Sequence, residues 1–279
     1  KSMMVHSLSF INNNYKELVL LNKQADKETL KYYLSRKKKF PLVLQGNGKF
    51  DKFLFKGYEW YDEYSKITGS TVRKYTGKAV KIEVPFFNQA SSVTKISVPP
   101  AYLIPPQFSE IIDVLKAHQI KFNLLKSEKK IKVEKYRFED VRFVEKPYEG
   151  RQLLSFKCFS FTETVDLEPG TLIVYTNQRQ LRVIINLLEP EAPDSFVNWG
   201  FFNAFFERKE YAEAYVMEPY AKQMMKNDSN LRSEFYKKLE EAESFRNNSG
   251  ERLDFFYKRS PFYDKGENIY PILRMVNSK

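Results

Sequence analysis

The sequence predicts an α+β fold: an antiparallel β-sandwich-like domain with an N-terminal strand-helix segment and a C-terminal helical region. Short runs of strand-forming residues, punctuated by Gly and Pro, fill the middle of the chain, which is typical of antiparallel sheets. Apolar residues at helical spacing precede and follow this region. The 279 residues are enough to build a full core. We therefore expect three parts, covering residues 1–38, 39–190 and 191–279.

The N-terminal part is expected to hold one strand and one helix. Residues 1–10, KSMMVHSLSF, are interpreted as a short strand. From Ile11 onwards apolar residues such as Tyr15 and Leu18 recur at helical spacing, without Gly or Pro. Pro41 ends this pattern, because the residue before proline disfavours a helical backbone. The segment is expected to be a linker or the end of a preceding domain.

The middle part, residues 39–190, is expected to be mainly β. Alternation is clear in residues 130–136, where Ile131 and Val133 share one face of a predicted strand. One helix is expected to interrupt the strands, since SEIIDVLKAHQ carries apolar residues at helical spacing.

The C-terminal part is expected to be helical and to pack on the sheet domain. Pro193-Asp194-Ser195 provides capping side chains before the aromatic run at 196–206. Pro219 is expected in the first turn of the next helix, where its missing N–H costs little. Asp228 or Ser229 is expected to cap a further helix.

The inventory of metal ligands argues against a zinc site within this chain. Its two histidines and single cysteine are His6, His118 and Cys158, and neither histidine begins a His-x-x-Glu pair. Cys158 lies among phenylalanines in a predicted strand, where a buried, inert thiol is expected. No nucleophile elbow or phosphate-binding glycine loop is present in the sequence. No residue of this chain is therefore assigned a catalytic or metal-binding role.

A net charge of +11 raises the question of an anionic partner. The excess lies in residues 1–206, and basic and aromatic residues interleave at 129–138. Such a pattern serves nucleic-acid grooves, but it is also the pattern of a strand with a solvated lysine face. We adopt the second interpretation, so no nucleic acid is expected as a partner. No apolar run approaches the roughly 18 residues of a membrane span.

Aromatic clusters leave two interpretations open. The run at 196–206 is interpreted as a domain interface or core rather than a ligand platform. Exposed aromatics such as Tyr58, Trp60 and Tyr148 would instead suit an independent β-sandwich module that binds carbohydrate or peptide, unless they pack in the core.

The long block LLEPEAPDSFVNWGFFNAFFERKEYAEAYVMEP, residues 187–219, resembles a region near the C-terminus of large bacterial zinc carboxypeptidases of the carboxypeptidase A-like family. Shorter segments of the sequence agree with the family in order: FKGYEW at 55–60, PPAYLIP at 99–105, YRFEDV at 136–141, KPYEG at 146–150, TNQ at 176–178, RLDFFYKRSPFYD at 252–264 and YPILR at 270–274.

The resemblance implies a peptidase domain that lies N-terminal to these blocks. In the family a His-x-x-Glu pair and a later His hold zinc, a Glu is the general base, and activated water attacks the C-terminal peptide bond. The opening MMVHSLSF resembles the last part of that domain. His6, Ser7 and Leu8 match the family, but Met4 stands where the Glu is expected. This departure puts peptidase activity of the parent protein in doubt.

We therefore expect a non-catalytic C-terminal portion of a zinc metallocarboxypeptidase-like protein, which supports or shapes the peptidase domain. Zinc is expected in the parent peptidase domain and no cofactor in this chain. The expected partners are the protein's own N-terminal peptidase domain and the peptide substrate of the parent, in an exported bacterial protein. Candidate interface or binding residues are Tyr148 and Glu149 in KPYEG, and Trp199, Phe202, Glu210 and Tyr211 in the long block.

Overall fold

The computed structural model describes residues 2–35, 38–207 and 211–276. Its helices are α1 (Ser2–Leu34), α2 (Ser109–Ala117), α3 (Leu181–Leu188), α4 (Ala214–Asn227), α5 (Ser229–Glu241), α6 (Glu243–Asn247) and α7 (Ser249–Tyr257), with a 3₁₀ turn at Asn203–Phe205. Its strands are β1 (Phe40–Gly46), β2 (Asp51–Ser65), β3 (Ser70–Phe86), β4 (Ala90–Ile96), β5 (Ala101–Ile104), β6 (Asn123–Leu124), β7 (Lys129–Phe143), β8 (Leu154–Leu167), β9 (Leu172–Tyr175) and β10 (Leu273–Met275). Helices and antiparallel strands together confirm the α+β class.

The chain forms two compact units. Unit 1 comprises Lys1–Ala101, Glu110–Phe122 and Val174–Pro193, and unit 2 comprises Tyr102–Ser109, Asn123–Ile173 and Asp194–Lys279. Each unit is therefore assembled from segments that are distant in the sequence. The boundaries expected from the sequence, at 38 and 190, stay predictions.

The core of unit 1 is formed by the end of α1, the antiparallel β1–β4 pair and α3. Its buried residues are Tyr33, Phe40, Leu42, Ile96, Val98, Leu181, Ile185 and Ala192. Helix α3 was not expected within a mainly β region. Its buried Leu181, Ile184, Ile185 and Leu188 follow helical spacing, but a run of eight residues is too short to distinguish a buried helix from a buried strand by periodicity alone.

The predicted strand at residues 1–10 is wrong, because α1 is a continuous helix from Ser2. The alternation in Ser7-Leu8-Ser9-Phe10 imitates a strand over only four residues. Over a longer window the spacing of Met4, Leu8, Ile11, Tyr15 and Leu18 is helical.

A long antiparallel ribbon, β2–β3, extends unit 1. The two strands are 15 and 17 residues long and form a sheet of their own. In the half near the β2 start, Phe53 lies opposite Val84 and Phe55 opposite Ile82 on one face. The other face carries the ion pair Lys52–Glu83, with Nζ and Oε1 2.8 Å apart. The ribbon is therefore amphipathic.

A six-stranded sheet runs in the order β6-β9-β5-β10-β7-β8. The core of unit 2 includes Leu103, Val133, Leu167 and Leu273 from this sheet. Burial of Val133 and partial burial of Ile131 confirm the predicted alternation in β7. The structure does not establish the sandwich-like stacking that we expected, which stays a prediction.

The C-terminal helices of unit 2 pack around a cluster of phenylalanines that includes Phe235, Phe245, Phe255 and Phe256. The side chain of Asp228 accepts hydrogen bonds from the N–H groups of Asn230 and Leu231 (2.9 and 3.0 Å). The predicted cap of this helix is thus confirmed.

Two other helix predictions in this region are wrong. The aromatic run at 196–206 forms turns and one 3₁₀ turn rather than an α-helix, because Gly200 in its middle has a left-handed backbone (φ 76°) that a right-handed helix does not continue through. Helix α4 begins at Ala214, so Pro219 lies inside it rather than in its first turn. The N–H of the buried Met217 donates to the carbonyl of Glu213 (2.9 Å), so the helix is already formed before the proline, which leaves out one backbone hydrogen bond.

Candidate functional site

The chemically reactive side chains of the chain lie on separate elements. His6 is exposed on α1, His118 follows α2, and Cys158 lies half-buried in β8. Within residues 2–35, 38–207 and 211–276, no three His, Cys, Asp or Glu side chains come close enough to hold a metal ion. The described residues therefore provide no set of ligands for the zinc ion that the carboxypeptidase A-like family binds. We derive no reaction step through that metal.

Tyr148 and Glu149 lie at the tip of a tight turn between β7 and β8. The N–H of Tyr148 donates to the carbonyl of Arg151, and the reverse bond is also 2.9 Å long. Glu149 and Gly150 both have positive φ, 49° and 74°, as a two-residue hairpin turn requires. The turn leaves the ring of Tyr148 60% exposed.

Trp199 and Phe202 have different surroundings, although both belong to the same aromatic run. Trp199 is half-buried. Phe202 is buried between Phe108 and Tyr270, with ring centroids 5.3 and 5.4 Å away. At this depth Phe202 packs in the core of unit 2, and a ligand in solvent does not reach it.

The structure brings the turn at 148–152 next to this aromatic run. The Arg151 guanidinium lies 5.8 Å from the ring centroid of Phe201. The side-chain amide of Asn203 donates to the carbonyl of Gln152 (3.0 Å). These contacts join two segments of unit 2 that lie about fifty residues apart in the sequence.

Tyr211 is on a different feature. It is exposed and lines an open cleft of about 470 Å³ at the beginning of α4. Glu210 lies outside the described residues. The predicted residues that the structure describes therefore do not form one site. Tyr148 and Glu149 lie at a turn, Phe202 lies in the core and Tyr211 lines a cleft.

Sequence reasoning missed a long exposed apolar surface on α1. Every side chain of residues 2–25 is exposed except Asn14, which is half-buried. Only the last part of the helix packs, through Leu30, Tyr33 and Leu34. The segment that lacks packing is about 36 Å long at the α-helical rise. The helical spacing of its apolar residues was the signal that could have identified it.

The β2–β3 ribbon also leaves its aromatics exposed. Tyr58 and Trp60, for which core packing was the alternative, are 56% and 46% exposed. The guanidinium of Arg73 lies 3.6 Å from the Trp60 ring centroid and binds Asp62 (3.2 Å). One face of Trp60 is therefore covered by a cation that is held in place.

Some of the positive charges of strand β7 are paired with carboxylates of its neighbour β8. Lys135 Nζ lies 3.0 Å from Glu163 Oε2, and Lys130 pairs with Asp166 at 3.7 Å. Lys157 of β8 pairs with Asp140, which holds the pKa of that carboxyl below its usual value. Two of the six basic residues of β7 are thus paired with carboxylates of β8, and the interpretation as a solvated lysine face stays a prediction.

No membrane-crossing helix is found in the described part of the chain, since none of its helices is both long and apolar enough.

Comparison with known proteins identifies a carboxypeptidase-related region. The chain is 32% identical over 111 residues to Carboxypeptidase 2 of Trichophyton rubrum, and equally to those of Trichophyton tonsurans and Trichophyton equinum. The match covers 40% of this chain and 21% of each relative, so the chain spans about a fifth of the length of these curated relatives. No protein-family model and no solved structure matches the chain.

Proposed function

We propose that this chain is the non-catalytic C-terminal portion of a zinc-dependent metallocarboxypeptidase-like protein and packs against its peptidase domain. The parent protein would remove C-terminal residues from peptides, with zinc and the peptide substrate held by the peptidase domain. The partial similarity to fungal carboxypeptidases supports the proteolytic class of the parent. The sequence blocks within residues 50–275 resemble bacterial zinc carboxypeptidases, and this resemblance supports an exported bacterial parent protein.

The observation that carries the packing role is the exposed segment of α1. Leu18, Val19, Leu20 and Leu21 are consecutive and exposed. At 100° per residue they cover roughly 300° of the helix circumference. This one turn of α1 therefore presents apolar side chains over most of its circumference, and an exposed apolar surface of this kind marks an interaction site. Helices in proteins gain most of their stability from packing of their apolar residues, so a covering domain would supply the contacts that this segment lacks.

The ribbon supports the same role. A two-stranded hairpin is marginal by itself and needs a layer against its apolar face. Phe53, Phe55 and Ile82 on that face are each about half exposed. Exposed apolar patches of this kind mark protein interaction sites. The helix and the ribbon both belong to unit 1. Unit 1 is therefore the part of the chain that we expect to pack against the peptidase domain.

Binding between two separately produced polypeptides tests the proposal. The coding sequence upstream of Lys1 is expressed as one polypeptide and this chain as another, and their affinity is measured. We expect stable association, and a loss of at least tenfold for Leu20→Glu, because a charge then enters an apolar interface. Asn13→Glu is the matched control, since Asn13 is a polar, exposed position on the same helix. An upstream sequence without a carboxypeptidase-like domain, or full affinity of Leu20→Glu, would contradict the proposal.

A second candidate function is an independent module that binds carbohydrate or peptide. Exposure of Tyr58, Trp60 and Tyr148 favours it, whereas the Arg73 guanidinium over Trp60 disfavours sugar stacking on that face. A glycan and peptide array distinguishes the two functions. Specific binding that Tyr58→Ala abolishes would favour the module.

A further inference from the structure

The cleft at the start of α4 has a lining that no part of the proposed function uses. Three aromatic residues, Tyr211, Tyr257 and Phe262, line it together with the acidic residue Glu213. Its volume of about 470 Å³ lies within the range of small-molecule sites. All of these residues belong to unit 2.

Two of the three lining rings pack against further tyrosines. Tyr220 packs edge-on against Phe262, with centroids 5.2 Å apart, and Tyr263 packs against Tyr257 at 5.7 Å. Tyr257 is nearly buried, whereas Tyr211 and Phe262 are largely exposed. The cleft therefore has a fixed floor and two rings that a ligand can contact.

The carboxylate of Glu213 has no charged partner among the residues that the structure describes. No ion pair involves it among the described residues, and its side chain makes no capping hydrogen bond to α4. Two cations of unit 2 are paired with other carboxylates: Lys222 binds Glu218 at 2.8 Å, and Arg259 binds Glu234 at 2.6 Å. The lining thus carries one negative charge in a chain whose net charge is +11.

The aromatic rings and the acidic residue of the lining together favour a positively charged ligand. A negative ring face attracts a cation, and several rings around one cation form the cage that recognises ammonium groups. An anion would be repelled by Glu213, and a purely apolar ligand would desolvate that carboxylate without a partner. A single carboxylate is too few ligands for a divalent metal ion.

We propose that this cleft binds an organic ammonium cation, which the rings of Tyr211, Tyr257 and Phe262 surround and the carboxylate of Glu213 neutralises. The ammonium group comes either from a free small molecule or from a lysine side chain of a peptide. The site is independent of the proposed packing role, which uses unit 1. Because the cleft is open, we expect weak binding in the millimolar range.

Titration of the full chain with choline, followed by the NMR shifts of the choline methyl protons, tests the proposal. We expect upfield ring-current shifts, and at least tenfold weaker binding of 3,3-dimethyl-1-butanol, the neutral isostere of choline. Equal binding of the two compounds would overturn the proposal, and so would the absence of any choline binding.

Three substitutions locate the site. Glu213→Gln and Phe262→Leu are each expected to weaken choline binding about fivefold to tenfold. Glu218→Gln is the matched control, because Glu218 is on the same helix but is paired with Lys222 and does not line the cleft. Equal loss in Glu218→Gln and Glu213→Gln would overturn the proposal.

A parallel titration with N-acetyl-lysine amide, its trimethylated form and choline identifies the source of the cation. Tighter binding of the lysine amides assigns the site to a peptide side chain, and tighter binding of choline assigns it to a free small molecule.

Discussion

The helical cluster of unit 2 and the β2–β3 ribbon of unit 1 are both rich in aromatic residues, but they use them in opposite ways. In the helical cluster Phe235 lies 4.8 to 5.8 Å from the rings of Phe245, Phe255 and Phe256, and all four are buried. In the ribbon the nearest ring to Phe53 is Phe86 at 5.6 Å, and both are about half exposed.

The difference comes from the number of layers. Helices α4 to α7 all contribute residues to this cluster, so each of the four phenylalanine side chains is at most 7% exposed. The ribbon is one layer of two strands with no second layer on its apolar face among the described residues. Aromatic content therefore indicates where apolar surface must be covered, and the tertiary contacts decide whether the chain itself covers it.

The largest expected effect on the free energy of unfolding comes from replacing one phenylalanine in each region by alanine. Phe235→Ala should lower the free energy of unfolding of unit 2 by about 3 to 5 kcal/mol, because it leaves a cavity in a packed core. Phe53→Ala should change the stability of the isolated chain by less than about 1 kcal/mol, since only one cross-strand ring contact is lost. Urea unfolding followed by circular dichroism measures both. Similar losses would mean that the ribbon is already covered in solution.

An intermediate effect concerns the ionisation of Tyr263, at the margin of the helical cluster. Burial and a hydrogen bond to Glu267 raise the pKa of Tyr263 to about 12, from 10 in the unfolded chain. A raised pKa stabilises the folded state below pH 10, and this contribution is lost as the pH rises towards 12. Tyr263→Phe should lower stability by about 1 kcal/mol at pH 8, the usual loss for one hydrogen bond.

Denaturation of wild type and Tyr263→Phe at several pH values checks this. The difference between the two should shrink between pH 10 and 12, and a constant difference would refute the assigned pKa. Lysine and other tyrosine side chains titrate in both proteins, so only the difference is informative.

A stability effect of about the same size sharpens the comparison at a helix end. Asp228→Ala removes the acceptor for two backbone N–H groups of α5, and such a loss costs about 1 kcal/mol. Ser233→Ala is the control, because its hydroxyl only donates to a carbonyl within the same exposed helix face. Thermal unfolding of unit 2 should show a lower midpoint for Asp228→Ala alone. Equal midpoints would show that the cap does not contribute.

Local signals were predictable where they act over a few residues. The Asp228 cap, α2 and the alternation around Val133 follow from spacing and capping chemistry, and the structure confirms them. Predictions failed where the local signal was short or ambiguous. The strand at 1–10 rested on four alternating residues, and α3 was hidden in an eight-residue apolar run.

The candidate sites were less predictable than the elements. Phe202 and Trp199 are neighbours in one aromatic run, yet one packs in the core and the other is half-buried. The cleft joins Tyr211 and Glu213 to Phe262, a residue almost fifty positions later. No spacing rule links these positions, because they meet only when α4 and the segment after α7 pack together.

The sequence by itself determined the α+β class, the shortage of zinc ligands and the resemblance to carboxypeptidases, since these depend on residue types and local spacing. Only the tertiary structure decided which aromatic residues are covered and which remain exposed, as on α1 and the ribbon. The physical reason is that burial depends on contacts between distant segments, and the hydrophobic pattern of one segment does not specify the surface that will cover it.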